Sequence, residues 1–196
     1  MSTLINTPAS KQKLLLLDNY YMGFKNVARR NFMLEKLEVP AMVKTLKLPS
    51  GKRVLEVGCG QGFALPPLFR LCQPAQLVGI DIDQNLLIMA AKRLRDRRIP
   101  AELFLTDVRR MPFPDEAFDV VIDFGTCYHI THKVKALKEI TRVLSKGGIF
   151  VFETRLNQFL SHPMRSCGCK LPWHLAPALK SQWSAGMWAS RVKEGG

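Results

Sequence analysis

Three acidic residues stand at the ends of three short apolar runs, and their spacing suggests a nucleoside site. Glu56 lies in Arg53-Val-Leu-Glu-Val-Gly58, Asp81 ends Leu77-Val-Gly-Ile-Asp81, and Asp107 follows the run from Ala101 to Leu105. A carboxylate directly after a strand can accept both hydroxyls of a ribose, which is the role expected of Asp81. Asp107 is placed to accept a hydrogen bond from an adenine amino group, with Ile82 and Val108 apolar enough to clamp the two faces of the ring; its alternative is a plain turn residue. Asp83 is better suited to a helix N-cap. The glycines Gly58, Gly60 and Gly62 let a backbone bend closely around a ligand, with Cys59 between them as a small filler or a loop contact. Their G-x-G-x-G spacing differs from the G-x-x-G ending of the dinucleotide fingerprint, so a cofactor without a pyrophosphate is favoured. The same glycines would also serve a tight strand-to-helix turn with no ligand.

A second group follows the fourth apolar run, in Asp123-Phe-Gly-Thr-Cys-Tyr-His129. His129 is a candidate general base and Tyr128 a candidate for orienting an acceptor; His129 would alternatively cap the next helix. Lys92-Arg-Leu-Arg-Asp-Arg-Arg98 is basic and helical, suited to phosphates or to a solvated face.

The elements that must hold these residues alternate. Strand runs are read at 53–58, 77–81, 101–105, 118–122 and 149–153, with helices from near Pro66, from Asn85 to Arg98 and from Val134 to Leu144. Such alternation implies βαβ units and a parallel sheet with helices on both faces. Residues 1–50 read as a helical lead-in or lid, 51–154 as the Rossmann-like core, and 155–196 as a lid segment with one last strand, read between Gln182 and Val192.

Composition sets the outer bounds. The chain has 196 residues, 47% hydrophobic and 23% charged, which suits one globular domain. It contains no run of about 18 apolar residues and no secretory leader pattern, so neither a membrane span nor export is expected. Five scattered cysteines suit free thiols in the cytoplasm, and Cys167-Gly-Cys169 fits no zinc spacing, so no metal site is assigned. The formal charge of +13 resides mainly in the flanks, which would attract nucleic acid, anionic lipid or acidic small molecules alike.

Leu55-Glu-Val-Gly-Cys-Gly-Gln-Gly62, Leu77-Val-Gly-Ile-Asp-Ile-Asp83, Met111-Pro-Phe-Pro-Asp-Glu-Ala-Phe-Asp-Val-Val121 and Ala136-Leu-Lys-Glu-Ile-Thr-Arg-Val-Leu-Ser-Lys-Gly-Gly148 occur in order. Together they resemble class I S-adenosylmethionine-dependent methyltransferases of the methyltransferase-11 type, which include the ubiquinone and menaquinone C-methyltransferases. The resemblance implies an α/β sheet in the order 3-2-1-4-5-7-6 with an antiparallel last strand; the short tail here suggests that strand six is abbreviated or absent. It implies S-adenosylmethionine as cofactor, leaving as S-adenosylhomocysteine. Glu56, Gly58, Gly60, Gly62, Asp81 and Asp107 match the family's cofactor positions, Ile82 and Val108 would flank adenine, and Asp123, Phe124 and Gly125 would line the pocket below the sulfonium. Cys127 lacks the preceding proline of the pyrimidine methyltransferases that use a cysteine nucleophile, and the Asp/Asn-Pro-Pro-aromatic signature of amino methylation is absent. The reading favoured is methyl transfer to a small molecule, with Tyr20, Tyr21, Trp173 and Trp183 available as apolar contacts, by a monomer or homodimer. The alternatives are an RNA methyltransferase and a non-catalytic cofactor-binding subunit.

Overall fold

The structure, a computed structural model, describes residues 5–6, 27–127, 130–153 and 188–191. Its elements are β1 (Ile5–Asn6), α1 (Val27–Met33), a π-helical stretch (Leu34–Glu38), α2 (Val39–Leu46), β2 (Arg53–Val57), α3 (Leu65–Cys72), β3 (Gln76–Asp81), α4 (Gln84–Asp96), β4 (Glu102–Leu105), β5 (Phe118–Asp123), α5 (Lys133–Val143), β6 (Leu144–Phe152) and β7 (Trp188–Arg191). The sheet order is β1-β4-β3-β2-β5-β6-β7. Strands β1 to β6 pair in parallel, and β7 pairs antiparallel with β6, Phe152 opposite Trp188 and Ile149 opposite Arg191. The α/β architecture with a mostly parallel sheet follows from the apolar runs. The expectation about strand six concerns residues outside those described.

Side chains along each strand alternate between two cores, as the pleat requires. Val54, Leu77, Leu103, Val120, Ile122 and Val151 face one core, where α2, α3 and α4 supply Met42, Leu65, Leu68, Leu87, Ala90 and Leu94. Leu55, Val57, Val78, Ile80, Val121 and Phe150 face the other, closed by Ala136, Ile140 and Val143 of α5. Burying a Leu or Ile side chain is worth about 1.5–3 kcal/mol, so each face is a substantial source of stability.

Local chemistry explains where the sequence-based boundaries move. The lead-in is not helical throughout, because Ile5–Asn6 adds a parallel strand on the free edge of β4. Pro40 does not stop the N-terminal helix. It lacks the N–H that an α-helix would need there, and the turn ahead of it widens, with the N–H of Val39 donating to the carbonyl of Leu34. Pro66 and Pro67 sit in the first turn of α3, where no N–H is required. Asp83 is the N-cap of α4, its Oδ1 accepting from the N–H of Asn85 at 2.8 Å. Strand β6 starts earlier than its apolar run: Leu144 pairs with Phe118, and the next partners are Ile149 and Val120, so the chain bulges out through Gly147 (φ 71°).

Candidate functional site

The carboxyl ends of β2, β3, β4 and β5 lie side by side, because β3 and β5 flank β2 and β4 flanks β3. Glu56, Asp81, Asp107 and Asp123 therefore reach one edge of the sheet, and the glycine loop after β2 crosses above it.

The loop is built to leave space. Gly58, Gly60 and Gly62 all have φ between 52° and 70°, a region that disfavours any Cβ. Each glycine has a different neighbour. A Cβ on Gly58 would overlap the Thr126 hydroxyl, which itself donates to the Val57 carbonyl at 3.2 Å. A Cβ on Gly62 would press on Ala90 of α4 at 3.0 Å. A Cβ on Gly60 would meet nothing within 4 Å, so the backbone there borders open space. Cys59 turns the other way. It is buried, its N–H donates to the Ile80 carbonyl, and a Cβ at Gly79 would come within 2.9 Å of its sulfur. Its side chain fills the space over β3, and only its backbone belongs to the loop surface. Burial and the nearby Glu56 raise its thiol well above the ordinary range.

Glu56 is 2% exposed, and its Oε2 has no hydrogen-bond partner among the described residues. Burial, reinforced by the charges of Asp81 and Asp123 and opposed by Arg30, pushes its carboxyl up to about 8. The acid is thus held mostly protonated at neutral pH, and a cation placed beside it would favour its ionised form, because an opposite charge offsets the cost of a buried carboxylate. Asp81 is fixed from both sides: Oδ2 accepts from the Gly60 N–H at 2.8 Å and Oδ1 from the Asp83 N–H at 2.9 Å. Burial raises its carboxyl, and these backbone donors oppose the rise. Each oxygen keeps lone pairs for a further donor.

The other acids are more occupied than the sequence suggests. Asp107 is held by Arg109, whose Nε donates to both carboxylate oxygens at 2.9 Å and whose backbone N–H donates to Oδ1 at 2.8 Å. Arg109 also reaches Thr131 Oγ1 at 3.1 Å, tying the β4 end to the segment before α5. Asp123 is 1% exposed and folds onto its own loop, accepting from the N–H of Gly125 at 2.9 Å and of Cys127 at 3.0 Å. Its carboxylate shapes the turn containing Phe124 and Gly125 (φ 103°). Ile82 is half-buried, whereas Val108 is 4% exposed and packs within the α5-side core. Burial and Asp123 push the Cys127 thiol far upward, which opposes a thiolate nucleophile. Tyr128 and His129 lie outside the described residues, as does the Cys167–Cys169 pair.

Sequence reading missed the residues that set the loop from behind. Arg93 of α4 donates from Nε to the Gln61 carbonyl at 3.0 Å, and its guanidinium carbon lies 3.4 Å from the centre of the Phe63 ring. Glu139 accepts from the Met111 N–H at 2.8 Å, and Arg142 donates to the Phe113 carbonyl at 2.8 Å, so α5 staples down the segment after β4. The aspartate–arginine pair at positions 107 and 109 had one visible signal, its short spacing. The others join residues far apart in sequence.

This is a Rossmann-like α/β domain with a glycine loop and four acids gathered at the carboxyl edge of its sheet. Residues 55–152 match the family model described as a methyltransferase domain, and the chain belongs to that methyltransferase-11 family of class I methyltransferases. S-adenosylmethionine is the cofactor that goes with the family and fold. Among relatives, the phthiotriol/phenolphthiotriol dimycocerosates methyltransferase of Mycobacterium tuberculosis is 38% identical over 103 residues, covering 52% of this chain and 37% of that protein. The ubiquinone/menaquinone biosynthesis C-methyltransferase of Pseudomonas entomophila is 36% identical over 119 residues, covering 57% of this chain and 46% of the relative. The chain thus spans less than half the length of these relatives. A SAM-dependent methyltransferase from Aquifex aeolicus superposes with a TM-score of 0.57 at 23% identity, covering 62% of this chain and 65% of that one, and shares the fold.

The residues present fit this cofactor. Open space borders Gly60, where a Cβ would intrude, and the unpartnered Glu56 oxygen offers a buried acceptor for an ammonium group.

Proposed function

We propose that the chain is a methyltransferase that moves a methyl group from S-adenosylmethionine to a small-molecule acceptor by in-line displacement. The observation that carries this reading is the unsatisfied Glu56 carboxyl beside open backbone at Gly60, with Asp81 fixed on the adjacent strand end. When bound, the cofactor supplies a methyl group on a sulfonium, already activated for displacement.

The chain's own residues hold and orient. Glu56 accepts the α-ammonium group, and the backbone of Gly58, Cys59, Gly60 and Gly62 leaves room for the amino-acid tail. Asp81 uses its remaining lone pairs for the ribose hydroxyls. Ile82 and Val108 flank the adenine, and Asp107, with its charge answered by Arg109, accepts from the adenine amino group. Asp123 sets the turn that brings Phe124 and Gly125 to the pocket floor. His129 is assigned as the general base and Tyr128 as the acceptor-orienting residue. The lid role falls to the parts of 1–50 and 155–196 that flank the 51–154 core, since Ile5–Asn6 and Trp188–Arg191 are strands of the sheet and Met42 and Val43 pack in its core. Relatives named for quinone and phthiotriol methylation support a small-molecule acceptor. Free thiols at Cys59, Cys72 and Cys127 support a cytoplasmic enzyme.

Calorimetry with S-adenosylmethionine tests the reading directly. Binding by the parent chain is expected, weakened about 10- to 100-fold by Asp81→Ala through loss of a charged hydrogen bond. Gly60→Val should remove binding, because its side chain projects into the open space. A chain that takes up no cofactor overturns the reading, and unchanged affinity in Asp81→Ala overturns the ribose assignment.

A further inference from the structure

Helix α5 presents an outward strip that the methyl-transfer reading does not use. Lys133, Lys135 and Lys138 are exposed, and none forms an ion pair with a described residue. Between them Val134 is 67% exposed and Leu137 42% exposed, while Ala136, Ile140 and Val143 bury the opposite face against the sheet. The acids near this helix lie toward its other end: Glu139 and Asp115 are both engaged by Arg142. The placement also defies helix economy. The first turn has no acid, the N-cap His132 makes no side-chain capping bond, and Lys133 and Lys135 lie in the first turn, where the helix dipole repels cations. A surface kept against that local preference points to a partner that the lysines meet.

We propose that this strip is a docking surface for an anionic lipid bilayer. Lysine stems let the ammonium groups reach headgroup phosphates while Val134 and Leu137 dip toward the acyl boundary. An RNA partner fits less well. The strip offers neither an aromatic platform for bases nor an arginine fork for phosphates, and its two most exposed positions between the lysines are aliphatic. Helix α5 begins shortly after the Asp123–Cys127 turn, so a bilayer held here lies beside the segment where the acceptor is expected to enter.

The test is sedimentation of the full chain with vesicles of phosphatidylcholine alone or mixed with phosphatidylglycerol, without cofactor. Binding to the mixed vesicles, falling with added salt, is expected. Each lysine near an anionic surface contributes about fivefold to partition, so the variant Lys133→Gln/Lys135→Gln/Lys138→Gln should lose about 100-fold. Leu137→Ser should lose about fivefold with the salt dependence kept. Lys92→Gln, on the opposite face of the sheet, should bind as the parent does, which separates this strip from the general basic charge. Cofactor affinity measured on the same variants reports that the fold is intact and is independent of vesicle binding. The proposal is overturned if the parent fails to prefer the anionic vesicles, if the triple variant partitions like the parent, or if the lysines prove to govern binding of an RNA oligonucleotide instead of vesicles.

Discussion

Helices α4 and α5 lie on opposite faces of one sheet, and both carry a dense basic run. In the α4 run three of the five basic residues are engaged by the protein, while Arg95 and Arg98 are exposed. Lys92 pairs with Asp96, Arg93 holds the glycine loop through Gln61 and Phe63, and Arg97 meets the buried Glu35 at 2.7 Å. In α5 only Arg142 is absorbed, and the three lysines face outward. The same residue types are thus structural cement on one side and open surface on the other. What differs is the supply of acids within reach. Two buried glutamates repeat the contrast. Burial alone would raise Glu35, but Arg97 and Lys36 outweigh it and hold its carboxyl below the usual range. Glu56, with no such partner bonded to it, is pushed up to about 8.

The pair of glutamates offers the largest test. Folded Glu56 keeps a proton that an unfolded chain loses near pH 4.3. Between there and about pH 8 the unfolded state binds fewer protons, so stability falls as pH rises, and it levels off above pH 8. The loss is on the order of 5 kcal/mol across the window. Denaturant unfolding of the cofactor-free chain across this range, compared with Glu56→Gln, measures it; equal pH slopes in the two proteins would break the contrast between the glutamates.

Next comes Arg97→Ala, which strips Glu35 of its closest guanidinium. Because Lys36 stays 3.0 Å away and Arg97 is partly exposed, the expected loss is about 2 kcal/mol rather than the larger cost of an isolated buried charge. Thermal unfolding reads it. Arg93→Ala should cost about 1–2 kcal/mol, the sum of one cation–π contact and one hydrogen bond. It should also weaken cofactor binding, because Gln61 belongs to the glycine loop. A stability loss with unaltered affinity would place Arg93 in packing alone.

Much of this architecture was legible from residue order. Apolar runs ending in Gly58, Asp81 and Asp107 gave the strands because a buried parallel strand reads as a short continuous apolar stretch. Asp83 was legible as a cap because its partners are two and three residues away. The assignment of the basic runs was not legible. Arg97 and Glu35 are 62 residues apart, and nothing local to either helix says which run will find acids. Asp107 and Asp123 showed the converse limit. Their positions at strand ends were plain, but their carboxylates are largely engaged by Arg109 and by the backbone of the Asp123 turn, arrangements that depend on side-chain direction rather than spacing.

The smallest effect is the sharpest discriminator between the two helices. Replacing Lys133, Lys135 and Lys138 together by Gln removes no ion pair with a described residue and uncovers no core atom, so it should leave stability within about 0.5 kcal/mol of the parent. The sign should be toward greater stability, because Lys133 and Lys135 leave the first turn at the positive end of the helix dipole. Loss of stability comparable to that of Arg97→Ala would mean that the lysines cement α5 as the arginines cement α4. A neutral or slightly stabilising result makes them surface residues whose presence the fold itself does not require. That neutral result is the one the docking proposal requires: Lys133 and Lys135 would then stand in the first turn without structural benefit, and the vesicle assay decides whether a bilayer meets them.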